Sequence, residues 1–242
     1  MQVEARGPAG YGRPMRSEVA HPNIVADPRV EHWGRLEYAA ALARQLELHE
    51  RRLRGQVPDT LVVVEHPPTI TLGRHAPATD VLADPSELHR RGITIARSDR
   101  GGRATYHGPG QVVMYPIVSI EELGVGVKDW VCLLEGALLD TLRDYGIVGE
   151  RHPGTAGIWT GGGKIASIGL RIARGVSYHG VALNVGLDAS VFDCIVTCGV
   201  GGERVTTISA TTGATVPCDQ ASERLTAHTI RRMRQRQADC RA

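Results

Sequence analysis

The chain has 242 residues, 42% of them hydrophobic, and a formal net charge of +2. That supports a sizeable buried core and shows no long basic stripe for nucleic acid and no acidic tail. No apolar run approaches the length of a membrane span, and the N-terminus lacks the apolar segment of a signal peptide, so a cytoplasmic protein is expected.

Residues 1–22 lack periodicity and read as a loose extension ahead of a single domain over residues 23–242. From Trp33 to Leu53 the pattern is helical, with Leu36, Ala39, Ala40, Ala43, Leu46 and Leu53 on the predicted apolar face. Thr60–His66 reads as a buried strand, and Thr69–Gly73 as a second after a Pro67-Pro68 corner. "PSELHRRG" predicts a short helix stopped by Gly92. "ITIARS" and "VVMYPIVSI" are strands on either side of a glycine-rich stretch, Asp99–Gln111. Val127–Tyr145 is an amphipathic helix ended by Gly146.

Three strands follow, "AGIWT", "KIASIGLRIA" and "VSYHGVALNV", joined by the turns "GGG" and "RGV". "VFDCIVTCGVGGERVTTISATTG" reads as a loop with short strand character. Asp219–Gln237 closes the chain as a helix, and its Arg231, Arg232, Arg234 and Arg236 are expected to form a solvated face. The strands do not alternate regularly with crossover helices. The predicted class is therefore α+β, a mixed β-sheet flanked by helices, rather than a doubly wound parallel sheet.

Five cysteines fit no disulfide framework, and the Cys194/Cys198 pair lacks the further ligands of a metal site, so no metal is expected. The glycines of "DRGGRATYHGPGQ" can form a turn, or a wall along which an extended ligand lies. It is neither a dinucleotide fingerprint nor a phosphate-binding P-loop. Lys164 follows three glycines at the start of a strand. It is either an edge-strand charge or a cation over a pocket. His179 in "SYHGVALNV" is either a hydrogen-bonded core residue or a functional one, and Gly180 after it suggests close approach by backbone or ligand. Cys198 stands between an apolar run and a glycine turn, where a thiol is either inert packing or an exposed nucleophile. A neighbouring ammonium raises the thiolate fraction of such a thiol, and Lys164 is the candidate.

Together, "VVVEHPPTITLGR", "DRGGRATYHGPGQVVMYPI", "GKIASIGLRI", "SYHGVALNV" and "IVTCGV" resemble, in order and spacing, the octanoyltransferases of lipoate biosynthesis over roughly Ile24–Ala227. The resemblance implies the fold of biotin and lipoate protein ligases, a class II synthetase-like fold. It also implies an acyltransferase that moves an octanoyl group from acyl carrier protein to a lysine of lipoyl domains. Those domains would be the E2 subunits of 2-oxoacid dehydrogenases and the glycine-cleavage H protein.

By that resemblance Cys198 is the acyl-thioester cysteine and Lys164 lowers its pKa. The substrate-binding loop is Arg100, Gly101, Gly102, Arg103, Ala104, Thr105, Tyr106 and His107. Ser167, Ile168 and Gly169 form a second binding segment; Gly180, Val181 and Ala182 form a third, beside His179. No resident cofactor is implied, since phosphopantetheine arrives on the carrier protein. The family usually places Pro before the cysteine; here it is Thr197. Two other readings carry different tests: an ATP-dependent lipoate or biotin ligase of the same fold, and a non-catalytic protein that binds lipoyl domains or acyl carriers.

Overall fold

The structure, a computed structural model, describes residues 27–197 and 204–239. It opens with β1 (Arg29–Arg35), α1 (Tyr38–Leu53), β2 (Thr60–Glu65) and β3 (Thr69–Leu72). Next come α2 (Pro85–Arg90), β4 (Thr94–Arg97), β5 (Ala104–His107), β6 (Gln111–Ile117) and α3 (Val127–Arg143). The strands β7 (Glu150–His152), β8 (Thr155–Thr160), β9 (Gly163–Ala173) and β10 (Val176–Asn184) follow. Two helices close the chain, α4 (Ile208–Thr212) and α5 (Cys218–Asp239).

Seven strands form one mixed sheet, in the order β1-β2-β6-β10-β9-β8-β7. β1 pairs parallel to β2, and the other neighbours are antiparallel. A second sheet, β4-β3-β5, was not anticipated as a separate layer. One face of the large sheet is covered by α3 and α5. On α3 the residues Trp130, Leu134, Leu138 and Leu142 recur every fourth position and are fully buried. Each such aliphatic side chain contributes about 1.5–3 kcal/mol.

Two sequence expectations fail at the N-terminal end. Trp33 lies in β1, and the helix starts only at Tyr38. β1 is an edge strand, so its charged residues stand half-exposed and hide the strand pattern. The middle of the predicted apolar stripe faces outward: Ala39, Ala40, Ala43 and Leu46 are exposed, whereas Leu36 and Leu53 are half-buried against the core. The buried face carries Tyr38, Ala41, Gln45, Leu48, His49 and Arg52. Its polar groups find partners inside. His179 N–H donates to Gln45 Oε1 (3.0 Å), and Arg52 donates to Asp59 (2.7 Å) and to Glu122.

The arginine-rich helix is also not simply solvated. Arg231 and Arg232 both donate to Asp140 Oδ2 of α3 at 2.7 Å. The segment expected to be a loop holds a 3-10 turn (Ala189–Cys194) and α4, with isolated bridges that bear out its strand character. Among the described residues no helix is long and apolar enough to cross a membrane.

Candidate active site

A cavity of about 400 Å³ lies where the small sheet meets β6, β9 and β10. Thr105 and His107 of β5, Val113 and Tyr115 of β6, and Ala182 of β10 line it, together with Tyr38 from the start of α1. Most of the sequence-predicted residues meet here. Arg100 to Thr105, His107, Lys164, Ser167 to Gly169 and His179 to Ala182 all line it. Tyr106 does not. Its ring meets Phe192 edge-on in the core of the small sheet. Cys198 lies outside the described residues.

Lys164 is not an edge-strand charge. It is 4% exposed, on a strand flanked by β8 and β10. Its Nζ stands 4.6 Å from the centroid of the Trp159 ring, whose face attracts a cation. A Cβ added to Gly157 would lie 3.2 Å from Lys164 Cε, so the lysine stem runs back along β8 toward Gly157. The backbone of Lys164 forms a parallel bridge with Val205: Lys164 N–H donates to Arg204 O (2.8 Å) and Thr206 N–H to Lys164 O (2.9 Å). Thr197 bridges Ala104 and also lines the cavity. The described chain on either side of residues 198–203 is thus tied to two walls of the same cavity. One tie is beside the glycine-rich loop and the other is beside Lys164.

The loop is held by a relay of side chains. Arg100 Nη2 donates to Thr71 O and to Arg103 O, both at 2.7 Å, and to Thr71 Oγ1 at 2.9 Å. Thr71 Oγ1 lies 3.4 Å from His107 Nε2. His107 Nδ1 donates to Gln111 Oε1 (2.8 Å), and Gln111 Nε2 donates to Asn184 Oδ1 (2.9 Å). Asn184 Nδ2 then donates to Thr206 O (3.2 Å). Arg100 thus braces the cavity wall that it lines, and Arg103 is engaged by Asp80.

A second latch joins the loop to β10. Asp99 Oδ1 accepts from His179 Nε2 at 2.7 Å, and Asp99 Oδ2 accepts from Tyr178 Oη. A carboxylate can only accept here, so His179 carries its proton on Nε2. His179 adopts φ +55° inside a buried strand, a conformation rare outside glycine. Its two hydrogen bonds hold it there. Burial lowers the pKa of His179 despite Asp99, and burial also lowers His66 and takes His107 well below the ordinary value. The cavity wall is thus built with neutral imidazoles. Burial and the Asp99 carboxylate push Tyr178 up to about 12.

The glycines of β9 and β10 serve the backbone. A Cβ on Gly180 would lie 2.0 Å from Met114 O, and one on Gly169, its partner across the ladder, 3.0 Å from Gly101 O. Sequence reasoning missed Thr71, Asp99, Gln111 and Asn184 as site residues. Only the Asp99 and Gln111 ends of the glycine-rich stretch gave any signal.

Residues 37–230 match the lipoyl protein ligase A/B catalytic domain. The chain is 45% identical to an octanoyltransferase of Alkaliphilus metalliredigens, over 86% of this chain and 93% of that one. An octanoyltransferase of Chloroflexus aggregans is 44% identical, over 82% and 91%. Among solved structures, a lipoate-protein ligase A bound with ATP superposes with TM-score 0.74 at 18% identity, covering 86% of each chain. Biotin protein ligase from Aquifex aeolicus superposes with TM-score 0.55 at 11% identity, covering 86% of this chain and 71% of that one. The fold is thus the one shared by lipoate and biotin protein ligases. By sequence the chain belongs to the lipoyl protein ligase A/B catalytic-domain family, among its octanoyltransferases.

Proposed function

We propose that the protein transfers octanoyl groups from an acyl carrier protein to lysines of lipoyl domains, through a thioester on Cys198. The observation that carries this reading is the buried Lys164 at a largely apolar cavity to whose walls the chain before and after Cys198 is tied. In the first step the Cys198 thiolate attacks the donor's thioester carbonyl. The C–S bond to phosphopantetheine breaks as the C–S bond to Cys198 forms, and the thiol of the arm leaves with a proton. In the second step the lysine amine attacks the acyl-cysteine, an amide forms, and the proton lost by the amine returns to Cys198 through Lys164 or water.

The Lys164 ammonium stabilises first the thiolate and then the charge that grows on the carbonyl oxygen. A medium-length chain buried in the cavity contributes about 0.8 kcal/mol per methylene, with no charged clamp required. The neutral histidines suit that chain, because a buried charge beside it would be costly. The acceptors would be E2 lipoyl domains and the glycine-cleavage H protein, the compartment would be the cytoplasm, and no resident cofactor takes part. Residues 23–242 would act as one catalytic domain.

The test is ATP-free transfer. Octanoyl carrier protein plus an unmodified lipoyl domain should yield octanoylated domain without nucleotide. Product formed only from free octanoate and ATP would establish a ligase instead, and binding without product a non-catalytic role.

A further inference from the structure

β10 covers one side of β9 from Ala173 to Ala166. On the other side the β8 ladder reaches only Gly157↔Ser167. Among the described residues the next main-chain partner on that side is the glycine-rich loop, where Gly101 N–H donates to Leu170 O at 3.0 Å. Residues 168 and 169 therefore form a break in an edge that is covered on both sides of it. The cavity wraps around this break. Ser167 and Gly169 line it together with Ala182 and Gly180 across the ladder, and Ile168, Leu170 and Ile172 line it together with Val127 and Val131 of α3. Val127 is 54% exposed, so an apolar groove leads from the surface to the break. The Lys164 stem, running toward Gly157, ends beside the inner lip.

The chemistry of the break is set by strand alternation. The N–H and C=O of one residue point to the same side, and the next residue's point to the other. Leu170 O faces Gly101, so Leu170 N–H and Ile168 C=O face the same way. The Gly157↔Ser167 pairing takes up Ile168 N–H, so among the described residues the opening presents one donor, Leu170 N–H, and one acceptor, Ile168 C=O, about a residue apart. From Ser167 to Leu170 is about 10 Å of strand, whereas two neighbouring strands crossing side by side with clearance need about 14 Å, three inter-strand spacings. One linear chain fits. An acyl chain or a lysine side chain has no amide to offer the two main-chain groups.

We infer that this break seats the two amides of the pantetheine arm of the acyl donor, one accepting from Leu170 N–H and the other donating to Ile168 C=O, while its thioester reaches Lys164. The inference rests on the acyl-enzyme reading given above. Three donors with the same octanoyl thioester test it: octanoyl-pantetheine with two amides, octanoyl-N-acetylcysteamine with one, and the octanoyl thioester of 2-mercaptoethanol with none. The second-order rate of protein acylation should rise roughly 2- to 10-fold with the first amide, the worth of one hydrogen bond. Ala156→Trp, on the β8 side of the opening, should collapse that ratio toward one, chiefly by slowing the amide-bearing donors. Equal rates for all three donors in the wild-type protein, or a ratio that survives Ala156→Trp, would overturn the arm subsite while leaving the acyl-enzyme intact. No acylation by any donor would overturn the acyl-enzyme reading, and the subsite with it.

Discussion

Lys164 and Gly157 show how closely single positions define the site. Lys164→Ala should slow alkylation of Cys198 by iodoacetamide at neutral pH about tenfold, the effect of one pKa unit. The rate should recover as pH rises. Lys164→Arg keeps the charge but cannot accept a proton. It should preserve alkylation yet impair transfer to the incoming amine. Identical alkylation profiles in all three proteins would leave Lys164 with a binding role only. Cys194 is buried, and burial raises its thiol pKa, so Cys194→Ala should leave acylation unchanged. Gly157 has φ +147°, and a Cβ there would lie 2.6 Å from Ala166 O as well as against Lys164 Cε. Gly157→Ala should therefore displace the lysine and lower single-turnover transfer at least tenfold, with the protein still folded by circular dichroism. Lys164 was legible in the sequence because it follows a glycine run with a reactive group, whereas the candidate Cys198 lies outside the described residues. Gln111 and Asn184 were not legible, because their roles arise from a hydrogen bond between residues 73 positions apart.

The helices α2, α3 and α5 were legible in extent, but the start and the orientation of α1 were not, and α4 read as part of a loop. The alanines of α1 suggested a stripe that the structure turns to solvent. The true inner face sets Gln45, His49 and Arg52 beside Tyr38, Ala41 and Leu48, and periodicity cannot show that Gln45 and His49 will find partners on β9 and β10 or that Arg52 will pair with Asp59 and Glu122. The arginine run of α5 misled for the same reason, since its anchor, Asp140, lies on α3. Burial alone would raise the Asp140 carboxyl. Hydrogen bonds from Arg232, Arg143 and Arg231 outweigh it and hold the pKa at about 2. A depressed carboxyl stabilises the fold above its unfolded pKa of about 3.9, and that contribution fades as pH falls from about 4 through 2. Asp140→Asn should cost about 2 kcal/mol in urea denaturation near neutral pH, with half-exposed arginines discounting the ion pairs. The difference from wild type should shrink below pH 4. A constant difference down to pH 2 would show that the substitution acts through packing rather than charge.

At the scale of the whole molecule, the α+β class and the strands β2, β3, β4, β6, β8, β9 and β10 could be read from alternation and turn residues, whereas β5, inside the glycine-rich stretch, and the three-residue β7 could not. The division into two sheets could not, since it depends on β5 turning back onto β3 rather than joining β6. That division creates the cavity and buries His66, His107 and His179 in it or beside it, with folded pKa values lowered by burial. The unfolded chain takes up these protons first, at about 6.5. Stability should hold above that pH and fall as pH drops below it toward the lower folded values. Thermal melts from pH 8 to 5 should show this decline, and His107→Asn should flatten it. The central claim remains the covalent intermediate. Intact mass of the protein after brief mixing with octanoyl carrier protein tests it most directly. The account predicts one octanoyl adduct, mapped to Cys198, absent in Cys198→Ser, and discharged on addition of unmodified lipoyl domain. Full turnover by Cys198→Ser, or an adduct mapped to Cys194, would contradict it.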